Sequence, residues 1–328
     1  MQAYIYTQYG PPEVLKMVEI PTPKPGENEV LIKTYATTVS SGDWRARSLT
    51  VPAGLGLIAR LVFGISRPRK PVLGTELSGV ICEIGAKVTD YKTGDAVIAF
   101  PGAGFGAHAE YCLMPQDGAL VIKPQNLSFA EAAALPFGGT TAYDFLINKA
   151  KLQPGEHVLI NGASGSTGTA FVQLAKHFGA TVTAVCSRAN SGLVRSLGAD
   201  QVIDYHSTDF FGQPRKYDII VDTAGTAPWA RAKKSLASNG RLVIVNGSLS
   251  DMVFGPLRAR LSGKRLVGGV AGETKALLQH LAELAAAGKF RPVIDRSYSF
   301  EQMVKAHTHV DTGHKKGNVV VVLIRASD

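Results

Sequence analysis

Cysteine is scarce, with Cys82, Cys112 and Cys186 far apart in 328 residues and never arranged as CxxC. That excludes a disulfide framework and a thiolate metal cluster, and the three are expected to be reduced core residues. No apolar run approaches the roughly 20 residues that span a bilayer. Met1 to Tyr6 lack a basic stretch leading into a long apolar run, so no secretion signal is expected. A cytoplasmic protein with no membrane partner is the expectation. Low-complexity tracts are also missing, because the 35 glycines and 17 prolines are scattered as turn punctuation. Acidic residues are outnumbered, 26 against 35 lysines and arginines, for a net charge of +9. The cations are dispersed and do not interleave with aromatics, so nucleic acid is not an expected partner. A basic surface suits an anionic ligand instead.

What is present is enough apolar residue, 45% of the chain, for one large or two ordinary cores. The first third alternates short β-rich runs with turns: Ala3 to Thr7, Glu29 to Ala36, Gly79 to Ile84, Ala96 to Phe100 and Ala109 to Met114. From about Ser128 helical and strand-like stretches alternate, which predicts a parallel sheet covered on both faces. Residues 273–287 carry an apolar stripe at Ala276, Leu277, Leu281, Leu284 and Ala285 that stops at Gly288, predicting a late helix. The end returns to β character over 317–324. The predicted organisation is a β-rich domain over 1–125 completed by 295–328, and a doubly wound α/β domain over 126–294.

The most informative stretch is the strand-like Val158-Leu159-Ile160-Asn161, the turn Gly162-Ala163-Ser164-Gly165-Ser166-Thr167-Gly168, and a helical run from Thr169. From Ala163 it reads as GxGxxG with alanine first. Gly165 lets backbone approach a pyrophosphate, Gly168 allows close helix-to-strand packing, and the helix start offers amide donors and a positive dipole end. Strand before and helix after make the pattern specific.

Cofactor choice is set at the end of the second strand, about twenty residues on, where an acid would bind the ribose 2′-hydroxyl of NAD. The chain there reads Val185-Cys186-Ser187-Arg188-Ala189-Asn190, without an acid. Arg188 can pair with a 2′-phosphate and Ser187 can donate to it, so NADPH is the expected cofactor.

The whole chain resembles the medium-chain dehydrogenases/reductases, in particular the zinc-free, quinone oxidoreductase-like (zeta-crystallin-like) branch. The matching text includes Tyr9-Gly10-Pro11-Pro12-Glu13-Val14-Leu15, Pro71 through Val80, Gly94-Asp95-Ala96-Val97, Ala107-His108-Ala109-Glu110-Tyr111, Gly139-Thr140-Thr141-Ala142, the glycine turn, and Ser196 through Tyr205. The resemblance implies a GroES-like catalytic domain built from both chain ends, beside a Rossmann domain, with the active site in the cleft. It places Thr140, Asn246 and Gly247 at the nicotinamide half of the cofactor and Tyr205 at the adenosine end. A homodimer is implied as well.

Zinc enzymes of that superfamily present a cysteine in an early loop and a Gly-His-Glu triplet. Here the loop is Thr38-Val39-Ser40-Ser41-Gly42-Asp43 and the triplet is Gly74-Thr75-Glu76, with neither ligand type, so no metal is expected. The implied chemistry is hydride transfer from NADPH to a small electrophile, a quinone or α,β-unsaturated carbonyl. Ser40, Asp43 and Thr140 are expected to line the site, although Asp43 equally suits a helix cap. Two other functions stay open: an enoyl-thioester reductase, and a non-enzymatic NADPH-binding protein. Residues 51–70 are unusually apolar for a loop and read either as a flap over the substrate mouth or as an oligomer contact. Arg60 within them argues against membrane insertion.

Overall fold

A computed structural model describes residues 1–212 and 214–324, which form two compact units. Unit 1 holds residues 1–51, 56–137 and the chain from Glu273 onward; unit 2 holds 52–55 and 138–272. The chain opens with strands β1 (Gln2–Ile5), β2 (Lys16–Glu19) and β3 (Glu29–Val39), then helices α1 (Ser41–Ser48) and α2 (Gly56–Phe63). Strands β4 (Leu77–Ile84), β5 (Ala96–Ala99), β6 (Tyr111–Pro115) and β7 (Leu120–Ile122) follow, and then α3 (Phe129–Ala133) and α4 (Pro136–Tyr143). Next come β8 (His157–Asn161), α5 (Ser166–His177), β9 (Thr181–Cys186), α6 (Ser191–Ser196), β10 (Gln201–Asp204) and β11 (Tyr217–Asp222). Then come α7 (Trp229–Ser235), β12 (Leu236–Ile244), α8 (Leu249–Arg260) and β13 (Arg265–Val267). The last elements are α9 (Lys275–Ala286), β14 (Ile294–Ser299), α10 (Met303–Asp311) and β15 (Asn318–Val322).

Unit 2 is built on a parallel six-stranded sheet in the order β10-β9-β8-β11-β12-β13. Its strands are near-continuous apolar runs, Val158-Leu159-Ile160 and Ile219-Ile220-Val221 among them, and all six of these residues are fully buried. Burial on both faces is what a helix-covered parallel sheet demands. The order reverses between β8 and β11, the switch point where such sheets bind ligands at their strand C-termini.

Unit 1 centres on a seven-stranded sheet, β14-β15-β3-β4-β5-β7 with β6 also on β3. The predicted return of the C-terminal segment is present: β15 pairs antiparallel with β3, Val319 opposite Val39 and Val321 opposite Thr37. Val30, Ile32, Leu77, Ile81, Val97 and Leu120 form one core cluster. A second joins Tyr4, Tyr6 and Leu15 to Met303, Ala306 and Val310 of α10, which recur at helical spacing. Each such buried aliphatic side chain stabilises by about 1.5–3 kcal/mol.

The units divide the chain differently from the predicted boundaries of 126 and 294, because residues 126–137 and 273–294 lie in unit 1. Helix α3 packs Ala133 and Ala134 against Ala36 and Val320. Helix α9 buries Leu277, Leu281, Leu284 and Ala285 of the predicted stripe and leaves Ala276 exposed, but Asn126 donates to its Ala285 carbonyl at 2.9 Å and Lys275 pairs with Asp90, both within unit 1. An apolar stripe shows that a helix buries one face without showing which sheet receives it. Residues 52–55 belong to unit 2, where the Leu249 amide donates to the Ala53 carbonyl. Within 51–70 the apolar text forms α2 alone.

Candidate functional site

The glycine turn joins β8 to α5 as the spacing predicts. Gly162 has φ of +80°, a region only glycine enters cheaply. At Gly168 a Cβ would sit 2.1 Å from the Gly162 carbonyl oxygen, so the close approach of helix to turn requires glycine there. Gly165 differs: a Cβ on it would meet only that same oxygen, at 3.6 Å. Gly165 caps α5 in extended conformation without a side-chain hydrogen bond, and the Thr167 and Gly168 amides have no intrahelical acceptor at a helix start. Ala163 is buried, its amide donating to the Val185 carbonyl at 3.1 Å. Ser164 accepts from Asn190 Nδ2 at 2.9 Å, which ties the turn to the segment after β9. Ser166 is buried, and the Thr169 hydroxyl donates to its carbonyl at 2.8 Å.

Around this turn the strand C-termini bring the predicted cofactor residues to one edge. Ser187 is half-buried directly after β9, and Arg188 opens a short 3-10 turn with an exposed side chain that pairs with no described residue. Tyr205 follows β10, its amide donating to the Cys186 carbonyl at 3.4 Å and its ring 48% exposed. Asn246 follows β12 and donates to the Thr223 carbonyl at 2.9 Å. Gly247 precedes Ser248, the N-cap of α8. Thr140 is buried on α4, whose Gly138 approaches the Ser166 carbonyl so closely that a Cβ would lie 3.1 Å away. The structure therefore gathers all the residues named in the turn and at the strand ends.

Sequence reading missed Asp222. Its carboxylate accepts from the amides of Ala224, Gly225, Thr226 and Ala227 and from Asn161 Nδ2. Asp222 thereby shapes the loop after β11, while the Thr223 hydroxyl donates to the Asn161 carbonyl at 2.8 Å. The legible signal was Asp222-Thr223-Ala224-Gly225, a turn-forming run directly after an apolar strand.

In unit 1, Ser40 and Asp43 form a capping box at the start of α1. The Asp43 amide donates to Ser40 Oγ at 3.2 Å, while the Ser40 amide and hydroxyl donate to Asp43 Oδ2 at 2.8 and 2.6 Å. Asp43 Oδ1 also accepts from the Gly74 amide at 2.8 Å, and the residue is wholly buried. The geometry gives Asp43 the cap rather than a substrate contact, and it commits the Ser40 proton to Asp43. Ser40 Oγ lies 3.1 Å from Thr75 Oγ1, so the loop and triplet positions discussed for zinc bring two hydroxyls together. Glu76 accepts from the Thr38 hydroxyl and from the Phe137 amide at 2.6 Å. Burial pushes its carboxyl up to about 8.

Among the described residues, no group of three His, Cys, Asp or Glu side chains is placed to hold a metal ion. Unit 1 has a cavity of about 550 Å³ lined by Phe100, Phe105, Tyr111, Met114 and Glu273, and none of the predicted site residues lines it. Burial raises the carboxyl of Glu273.

Known proteins share this architecture. The alcohol dehydrogenase GroES-like domain family matches residues 26–125, and a zinc-binding dehydrogenase family matches residues 197–321. The chloroplastic quinone-oxidoreductase QR1 of Triphysaria versicolor is 34% identical over 98% of both chains. The chloroplastic NADPH-dependent alkenal/one oxidoreductase of Arabidopsis thaliana is 32% identical over 98% of this chain and 79% of its own. Among solved structures, the quinone oxidoreductase from Coxiella burnetii superposes with a TM-score of 0.87, at 31% identity over 99% of both chains. With two independent glycine-turn and GroES-like signatures in one chain and relatives aligned along its length, the protein belongs to the quinone oxidoreductase-like proteins of the medium-chain dehydrogenase/reductase superfamily.

Proposed function

We propose that this protein is a reductase that uses NADPH to reduce a quinone or an α,β-unsaturated carbonyl without a metal. The observation that carries the reading is the end of β9, where an exposed Arg188 with no partner among the described residues stands beside the glycine turn and no acid is present. A guanidinium there attracts a 2′-phosphate that a carboxylate would repel. The names of the relatives, a quinone oxidoreductase and an NADPH-dependent alkenal/one oxidoreductase, point to the same chemistry.

The residues fit the cofactor. Ala163, Ser164, Gly165, Ser166, Thr167 and Gly168 would hold the pyrophosphate, Ser187 and Arg188 the 2′-phosphate, and Tyr205 the adenosine end. Asn246, Gly247 and Thr140 would hold the nicotinamide half. NADPH supplies a hydride when bound, and the protein binds and orients. Although one matching family is described as zinc-binding, the hydroxyls of Ser40 and Thr75 occupy the two ligand positions, and alcohols are poor zinc ligands beside Cys and His. That supports metal-independent transfer.

No helix among the described residues is long and apolar enough to cross a membrane. A cytoplasmic location and a homodimer complete the proposal; the matched plant relatives are named as chloroplastic. The test is NADPH oxidation against 1,4-benzoquinone, 9,10-phenanthrenequinone, an alkenal and crotonyl-CoA, with NADH in parallel and with chelator added. Turnover of quinone or alkenal that prefers NADPH and survives the chelator is the expected result. Turnover of crotonyl-CoA alone would assign an enoyl-thioester reductase, and tight NADPH binding without turnover would overturn the enzyme reading.

A further inference from the structure

Helix α2 is apolar on the side that faces away from the protein. Ala59 is buried and Phe63 packs against the core, its ring 6.1 Å from that of Phe105. At 3.6 residues per turn, Leu57, Ile58, Leu61 and Val62 cover an arc of roughly 140° on the other side. Their exposures are 72%, 45%, 51% and 56%, and Ile65 beyond the helix is 63% exposed. A surface helix ordinarily turns its charged side to water, so this one is inverted.

The charge around the patch has one sign. Arg60, Arg67, Arg69 and Lys70 are exposed, and among the described residues none of the four forms an ion pair. No Asp or Glu occurs between Asp43 and Glu76. Arg60 donates to the Ile65 carbonyl at 2.7 Å, and Tyr9 donates to the Gly64 carbonyl at 2.8 Å, so the turn that carries the cations is held in place. A short aliphatic face rimmed by unpaired cations matches an anionic bilayer surface, where the aliphatic groups enter the headgroup boundary and the cations meet lipid phosphates and carboxylates. A second copy of the chain fits worse. In a two-fold contact the same surface serves both copies, and this segment carries no acid to pair its four cations.

We propose that α2 and the Ile65–Lys70 turn form a docking surface for anionic lipid membranes, on which the protein adsorbs without spanning them. Arg60 argued against insertion; at the rim of a surface-lying helix it becomes an attraction. The inference stands apart from the reaction, since it uses no residue assigned to the cofactor.

The test is flotation of the full chain with phosphatidylcholine vesicles containing about one part in three phosphatidylserine, against phosphatidylcholine alone and across a salt series. Wild type should float with the anionic vesicles, remain free of the neutral ones, and lose binding as salt rises. The double variant Leu57→Ser/Leu61→Ser should bind at least about tenfold more weakly. Arg67→Gln/Arg69→Gln should weaken binding and flatten its salt dependence. Unchanged thermal unfolding and NADPH affinity would show that both variants are folded. No binding by wild type overturns the proposal, as does equal binding by the leucine variant. Concentration-dependent dimerisation lost in the leucine variant, without vesicle binding, would assign the face to a second copy instead.

Discussion

Gly165 and Gly168 sit three residues apart in one turn yet are glycine for opposite reasons. Gly168 answers to the protein, because a side chain there would collide with the Gly162 carbonyl. Gly165 has room on the protein side, so the proposed function puts its requirement on the ligand side. Gly165→Val should therefore leave the unfolding midpoint close to wild type while NADPH and NADH binding are both lost, as isothermal titration would show. Gly168→Val should fail to fold or lose several kcal/mol, of the order of an overpacked core site. Unchanged cofactor affinity in Gly165→Val would remove the turn from the binding site. At Arg188 the discriminating substitution is Arg188→Asp, which should raise the Kd for NADPH far more than that for NADH. Equal losses for both cofactors would sink the assigned phosphate contact. These positions were readable because each requirement is local: a tight turn, a helix start, and one side chain at a strand end. Asp222 was missed because its five donors come from a loop and from a strand 61 residues earlier.

At the scale of elements, capping explains what spacing could not. Asp43 reads in sequence as either a substrate contact or a cap, and its three partners decide for the cap. Asp43→Ala should cost about 2 kcal/mol or more in urea unfolding, because it removes the carboxylate half of the capping box and leaves the buried Ser40 and Gly74 amides without their acceptor. It should leave NADPH affinity near wild type, and a variant with full stability but no turnover would restore the catalytic assignment. Helix α9 shows the limit of periodicity from the other direction. Its stripe at Leu277, Leu281 and Leu284 was legible, and all three are buried. Its place in unit 1 was not, because that rests on Asn126 and Asp90, far away in sequence. Short strands such as β10 and β13 escaped because three or four residues carry too little alternation to separate from turn text.

At the scale of the molecule, stability should depend on pH through one buried histidine, His307. His307 and His108 are fully buried with ring centroids 5.4 Å apart, and both ring nitrogens of His307 lack a partner among the described residues. Burial first, then the neighbouring His108 and Arg47, hold His307 well below its ordinary value of 6.5. Below pH 6.5 the unfolded chain takes up a proton that the folded one refuses, so stability is full above that value and falls as pH drops. Each pH unit should remove up to about 1.4 kcal/mol through this one group. His307→Leu should flatten that slope between pH 6.5 and 5 in urea unfolding, and an identical slope in the variant would dismiss His307 as its source. The strand and helix alternation, the glycine turn between strand and helix, and the lack of an acid after β9 were determined by the sequence alone, because each is set by residues within about twenty positions of one another. The tertiary structure alone decided which unit receives α3 and α9, that Asp43 Oδ1 is held by the Gly74 amide, and that α2 turns its aliphatic side outward. Those outcomes depend on contacts between segments far apart in the chain, and no local pattern records which of two surfaces a helix will bury.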